Sequence, residues 1–313
     1  MRIAVFGTGG VGGYFGGRLA LAEEDVLFIA RGENLRALQT EGLRVDSLKG
    51  DFLLHPVSAT GDPAEAADAD VVLIAVKAWQ VPEAARALAP TLSKSAFVVP
   101  LQNGVEAVSQ LSEVLGEERV VGGLCRIISY VEKPGYVRHV GAEPHVAFGE
   151  LNHQPSERTQ KLKEVFQKAG VSVEIPANIQ IAIWEKFLFI ASVSGIGAVT
   201  RSPIGIVRTV WESRAMLEQA MIEIFNLATA LNIALPENAV EKTMQFVDSL
   251  PPSGTASMQR DIQEGRPSEL ESQNGAVVRL GRQAGVETLI HRFIYHTLLP
   301  SELRARRQIQ LPA

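Results

Sequence analysis

The chain has one cysteine in 313 residues, Cys125, so an internal disulfide is excluded. That usage fits a reducing compartment, and the thiol by itself reads as a small buried hydrophobe. Excess positive charge is also missing. The net charge is −5 and the pI near 5.8, which argues against nucleic acid or an anionic membrane surface as partner and favours a small molecule. Uninterrupted apolar runs are short. The longest uncharged stretch, residues 187–200, carries serines and glycines and is expected to fall short of a bilayer span. The start "MRIAVFG" has no apolar leader followed by a cleavage site, so a cytoplasmic location is expected. The six histidines show neither the i, i+4 spacing nor the cysteine company of a metal site, and no metal is expected. His291 and His296 read as surface or partly buried residues.

Hydrophobic residues nevertheless make up 46% of the chain, enough to bury two cores at this length. Up to about residue 176, short β-branched runs alternate with helical stretches, the pattern of an α/β fold with a parallel, doubly wound sheet. Strands are expected at residues 2–7, at "VLFIA" ending at Ala30, at 71–76, at 97–101, and at "VAFGE" and "VSVEI". Beyond residue 178 only long helical patterns remain. The expected division is therefore a Rossmann-type domain over 1–176 and an all-helical domain over 177–313, with "LPPSG" as a turn inside the second. The stretch "WESRAMLEQAMIEIF" reads as core or as the surface of a homodimer.

The first strand runs into "GTGGVGGYFGG". Gly7, Gly9 and Gly12 stand at the spacing that permits a tight turn, a close backbone approach to a pyrophosphate, and packing of the next helix on the strand. Gly7, Thr8, Gly9, Gly10, Val11 and Gly12 are accordingly the candidate cofactor loop, with the helix N-terminus facing the anion. The second strand ends in Arg31 rather than in a carboxylate, which suits the 2′-phosphate of NADP better than the bare ribose of NAD. The alternative for Arg31 is a solvated loop charge. Lys77 and Asn103 follow the strands at 71–76 and 97–101, where ligands of such sheets bind. Alone, Lys77 could be a surface lysine, and Asn103-Gly104 only a turn. Lys186 presents the opposite puzzle: in "IWEKFLFIASVSG" it falls inside the helical stripe of Ile179, Ile183, Phe187 and Ile190, so its ammonium either snorkels or sits in a site.

Taken in order, "GxGxxGxxxG", "VKAWQ", "QNGV", "WEKF", "SMQRDI" and "GRPSELESQNG" resemble the ketopantoate reductase (2-dehydropantoate 2-reductase) family over nearly the whole chain. The resemblance implies a Rossmann domain followed by a helical domain, NADPH as cofactor and a 2-oxo acid as substrate. It also implies roles for individual residues. Lys186 matches the catalytic lysine and Glu269 the supporting glutamate, with Glu271 as its solvated neighbour. Ser257 matches a substrate-contacting serine, although a helix cap is an equal reading of that residue. Asn103 matches an asparagine near nicotinamide and substrate, and Lys77 and Arg31 match NADP contacts.

The match departs from the family where substrate is read. The family's helix carries asparagines four and eight residues after the lysine, and here those positions are Ile190 and Ser194. Ser194 stays a candidate substrate contact, and another family asparagine falls near Ile204. A 2-oxo acid other than ketopantoate is therefore in view. Two alternatives remain: a hydroxy acid dehydrogenase of the same superfamily, and a non-catalytic NADP-binding sensor, which would have no need of Lys186 and Glu269.

Overall fold

The apolar runs that begin the chain become strands because each is short, β-branched and bounded by turn residues. The computed structural model describes residues 1–141 and 143–309. By contact these fall into two units: Met1–Gln102 with Ala107–Ile179, and Asn103–Glu106 with Gln180 onward. The "QNGV" turn thus divides after Gln102, and Asn103 belongs with the helices rather than with the strand that leads to it.

In the first unit the elements run β1 (Arg2–Phe6), α1 (Gly10–Leu21), β2 (Asp25–Ile29), α2 (Gly32–Glu41), β3 (Leu43–Ser47), β4 (Phe52–Leu54), β5 (Ser58–Thr60), β6 (Val71–Ile74), α3 (Val81–Leu88), β7 (Phe97–Pro100), α4 (Ala107–Leu115), β8 (Val121–Arg126), β9 (Ser129–Lys133), β10 (Tyr136–His139), β11 (His145–Glu150), α5 (Glu157–Lys168) and β12 (Ser172–Glu174). The main sheet has the order β5-β2-β1-β6-β7, all parallel. Successive side chains of a strand point to opposite faces. Ile3 and Val5 therefore pack with Phe15 and Leu19 of α1 on one side, and Ala4 and Phe6 with Val81 and Leu88 of α3 on the other. Burial on both faces explains the unbroken apolar runs of β1, β6 and β7.

The expected strands "VAFGE" and "VSVEI" do form, as β11 and β12, but they do not extend this sheet. They make a separate sheet, β12-β11-β8, in which β8 is antiparallel to β11. The partner strand β8, "VGGLCR", was hidden by its paired glycines: a Cβ on Gly123 would stand 2.6 Å from the Pro100 carbonyl oxygen. A third sheet, β4-β3-β10-β9, comes from short polar segments such as "LRVDS" and "SYVEK".

The second unit is helical: α6 (Ile179–Thr200), α7 (Ile204–Thr209), α8 (Trp211–Ala230), α9 (Ala239–Ser249), α10 (Ser257–Gln263), a single π-helical turn at Glu271–Gly275, α11 (Ala276–Ala284) and α12 (Leu289–Ala305). The "LPPSG" turn pins α7, because Ile204 N–H and Gly205 N–H donate to the Gly254 and Pro252 carbonyls. Two expectations about α6 need correction. The expected apolar stripe holds only in the first half of the helix, where Ile179, Ile183 and Phe187 are buried and Ile190 half-buried; from 191 to 198 every residue is buried, and a helix that is apolar all round lies inside a core. It is also longer and more apolar than its uncharged stretch suggested, 22 residues with a window of mean hydropathy 1.5, which passes the length and composition test for a membrane span. Two thirds of that window (67%) is buried against protein, as expected of a core helix.

Candidate active site

The glycine loop leaves β1 with Gly7 at φ +100°, a conformation strained for any residue with a side chain. Five residues on, a Cβ at Gly12 would fall 1.9 Å from the Gly7 carbonyl oxygen, so α1 can leave the strand this closely only with glycine there. Gly10 is just as confined, with the Ser129 carbonyl oxygen 2.6 Å from its would-be Cβ. Gly9, in the cap position of α1, differs: a Cβ there would meet nothing within 4 Å. The first N–H groups of α1 lack carbonyl partners a turn behind, and they open onto this unfilled place. A group with phosphate chemistry fits such a cradle. Val11 is half-buried beside it. Thr8 is buried, and its hydroxyl and carbonyl both accept from the Asn34 amide, whose oxygen takes the Gly135 N–H at 2.9 Å. Asn34 so ties the loop to the β9–β10 turn, and nothing in its local sequence marks that role.

Arg31 and Lys77 stand at the carboxyl ends of β2 and β6, as expected. Both are exposed. Arg31 caps α2 and donates from Nη1 to Glu83 Oε1 at 2.9 Å, and Lys77 Nζ lies 5.9 Å from the centre of the Trp79 ring.

In the second unit, Asn103 donates from Nδ2 to Glu269 Oε2 at 3.1 Å, and Gln273 Nε2 reaches the same oxygen at 3.4 Å. Glu269 is buried, at 6% exposure. Two networks hold this pair. Glu302 of α12 is also buried; it accepts from Ser268 N–H, from Ser268 Oγ at 2.6 Å and from Arg306 Nε at 2.6 Å, fixing the residue before Glu269. Arg279 donates from Nη2 to Glu106 at 2.8 Å and from Nη1 to Glu271, which also takes the Tyr295 hydroxyl at 2.6 Å. Burial and the bond to Glu271 push the Tyr295 phenol up to about 12. Glu271 is therefore part of a network rather than a merely solvated carboxylate. Gly104, at φ +109°, carries the chain between Asn103 and Glu106, where a Cβ would sit 2.9 Å from the Ser272 carbonyl oxygen.

Lys186 is half-buried on α6, as is Ile190 one turn on. Ser194, a further turn along, is fully buried, and its hydroxyl has no hydrogen-bond partner among the described residues. Helix α6 is locked to the π-helical turn next to Glu269 by Asn274, whose Nδ2 donates to the Ala191 carbonyl at 3.2 Å and to His291 Nδ1 at 2.9 Å. His291 then donates from Nε2 to the Ala220 carbonyl at 3.0 Å. It is fully buried, contrary to the surface reading, and burial pulls its pKa down to about 4. His296 is exposed. Ser257 is not a cap: Ala256 takes that position, and Ser257 is the half-buried first residue of α10. Ile204 lies in the core of the unit.

The sequence singles out Asn103 and Glu269, but nothing in it marks Glu302, Arg279 or His291 as partners of Ser268, Glu106 and Ala220, which lie far away along the chain. Two surface grooves, one beside Glu150 and Arg158 and one between α8 and α9, include none of the candidate residues. Among the described residues no cluster of three or more His, Cys, Asp or Glu could hold a metal ion.

Two family profiles match the chain. "Ketopantoate reductase PanE/ApbA" covers residues 3–153 and "Ketopantoate reductase PanE/ApbA C terminal" covers residues 178–302. Among curated proteins, the chain is 29% identical to a Bacillus subtilis protein named uncharacterized oxidoreductase YkpB, over 95% of this chain and 98% of that one. It is also 29% identical to a 2-dehydropantoate 2-reductase of a Nostoc species, over 95% of this chain and 94% of that one. Among solved structures, a PanE/ApbA family ketopantoate reductase from Ralstonia eutropha superposes with a TM-score of 0.89 at 31% identity, over 98% of this chain and 100% of that one.

Proposed function

The chain belongs to the ketopantoate reductase family, and from that premise we propose that it reduces a 2-oxo acid to the 2-hydroxy acid with NADPH. The observation that carries the proposal is the buried Glu269 carboxylate committed to Asn103, in the unit whose helix α6 carries Lys186. A cofactor-binding sensor has no use for that arrangement. On the cofactor side the open place over Gly9 suits a pyrophosphate, and Thr8, Gly10 and Val11 line the same loop. Arg31 and Lys77 offer cations for a 2′-phosphate.

Bound NADPH supplies the hydride that reduces the keto carbon. Lys186 polarises the keto oxygen and gives it the proton that completes the alcohol, and its cation stabilises the charge that grows there. Asn103 orients substrate while Glu269 holds the Asn103 amide in one rotamer. Ser257 and Ser194 are the candidate hydroxyls for the substrate's polar end. Ile190 cannot hydrogen-bond at all, and each polar substrate group left unpaired costs about 1–3 kcal/mol. The preferred substrate is accordingly a 2-oxo acid with a more apolar tail than ketopantoate.

NADPH oxidation followed by absorbance against a panel of 2-oxo acids tests this. Turnover is expected with several of them, best with apolar tails. Ketopantoate as the best substrate, unimproved by Ile190→Asn, would remove the specificity claim alone. No turnover with any 2-oxo acid would remove the reductase assignment.

A further inference from the structure

The sheet order places β2 on one side of β1 and β6 on the other. Arg31 leaves the carboxyl end of β2, and Glu83 lies in the first turn of α3, the helix that follows β6. Their ion pair, Arg31 Nη1 to Glu83 Oε1 at 2.9 Å, therefore bridges across the carboxyl end of β1, where the glycine loop begins. The two side chains are 60% and 55% exposed, so the contact is open to solvent and to any solute that reaches it. Space adjoins it: Gly32, next to Arg31, has no atom within 4 Å of the place its Cβ would take.

We propose that Glu83 is a specificity-determining residue that competes with the cofactor's 2′-phosphate for Arg31. This rests on the NADPH assignment above. A guanidinium offers a fork of N–H donors that one carboxylate or one phosphate group can fill. With Glu83 in the fork, a 2′-phosphate must displace a carboxylate before it gains Arg31, and the displaced charge stays nearby. A cofactor without that phosphate leaves the pair intact and is indifferent to it. Glu83 so narrows the margin by which Arg31 favours the phosphorylated cofactor. Because NADPH and NADP⁺ carry the same 2′-phosphate, Glu83 weakens the binding of both equally. Glu83 also has its own reason to stay in place, since an acidic side chain in the first turn of a helix is favoured by the helix N-terminus.

The experiment is calorimetric titration of the full chain with adenosine 2′,5′-bisphosphate, which bears the 2′-phosphate but no nicotinamide, and with 5′-AMP as the ligand lacking it. The unmutated chain is expected to favour the bisphosphate. Glu83→Gln and Glu83→Ala should each tighten the bisphosphate about two- to fivefold, the range an exposed ion pair is worth, and leave 5′-AMP unchanged. In an Arg31→Ala background the same substitutions should change neither ligand, and added salt should shrink the effect. Equal binding of the two ligands by the unmutated chain would overturn the NADP assignment and this inference together. A preference for the bisphosphate that Glu83 substitutions leave unchanged or weaken would overturn the inference alone. Equal tightening of both ligands would also overturn it, making the pair a steric latch rather than a competitor for phosphate.

Discussion

The glycine loop of the first unit and the Asn103–Glu269 pair of the second are built in opposite ways. The loop is made by backbone: Gly7 supplies a positive φ, Gly12 a close approach, and Gly9 the open place beside a helix terminus. The pair is made by side chains fixed from far along the chain, with Glu302 holding Ser268, Arg279 holding Glu106, and Asn274 tying the π-helical turn to α6. A site of the first kind tolerates change wherever nothing is packed. A site of the second kind depends on buried polar groups whose loss leaves partners unsatisfied.

The sharpest way to break this contrast is Glu302→Ala. Removing one partner of a buried charged network typically costs about 3–5 kcal/mol, because the other groups stay behind unpaired. Chemical denaturation should show a loss of that size, and a loss under 1 kcal/mol would mean that Ser268 and Arg306 find solvent easily.

The next effect is a pH dependence. His291 titrates at about 4 in the folded chain against an ordinary 6.5, so below 6.5 the unfolded chain binds more protons. Its contribution to stability is whole above pH 6.5, declines as pH falls towards 4, and amounts to about 3 kcal/mol at most. Glu223, whose carboxyl burial pushes up, acts in the opposite sense and gains on acidification. Comparing the unmutated chain with His291→Gln isolates the histidine: between pH 7 and 4.5 the variant should lose less stability than the unmutated chain. Parallel curves would show that the imidazole takes up a proton in place.

The smallest effects separate two glycines of one loop. Gly12→Ala forces a Cβ into the Gly7 carbonyl and should cost about 1–3 kcal/mol. Gly9→Ala meets nothing and should stay within about 1 kcal/mol, the range of an altered cap, while cofactor affinity falls. Melting curves read beside NADPH titrations check both. Equal destabilisation would erase the distinction between a packed glycine and an open one.

What was legible in the sequence follows the same division. The runs that became β1, β2, β6 and β7 were visible because they are apolar and continuous, and the glycine loop because backbone geometry dictates its residues. β3, β9 and β10 were not, since they are short and polar, and the pairing that joins the two local hairpins, β3 with β10, is between segments distant in sequence. Lys186 stood out as a charge in an apolar helix, and the stripe beside it holds for Ile179, Ile183 and Phe187, whereas residues 191–198 of α6 are enclosed on all sides. Asn103 was legible as a residue but not in its attachment. It follows β7 in sequence, while Glu269 and the Glu106–Arg279 ion pair place it in the helical unit. His291 looked ordinary because its partners, Asn274 and the Ala220 carbonyl, leave no mark on its neighbours in the chain.

The division of labour between the two units is tested most directly by Lys186→Ala, with kcat for a working 2-oxo acid and the NADPH dissociation constant measured on the same folded preparation. If Lys186 is the proposed general acid, its loss should lower kcat by about 10²- to 10⁴-fold and leave NADPH binding unchanged, since the glycine loop proposed to hold the pyrophosphate is built from residues of the first unit. A kcat within tenfold of the unmutated enzyme, in a variant that folds and binds NADPH normally, would contradict it and return Lys186 to the class of lysines that merely snorkel.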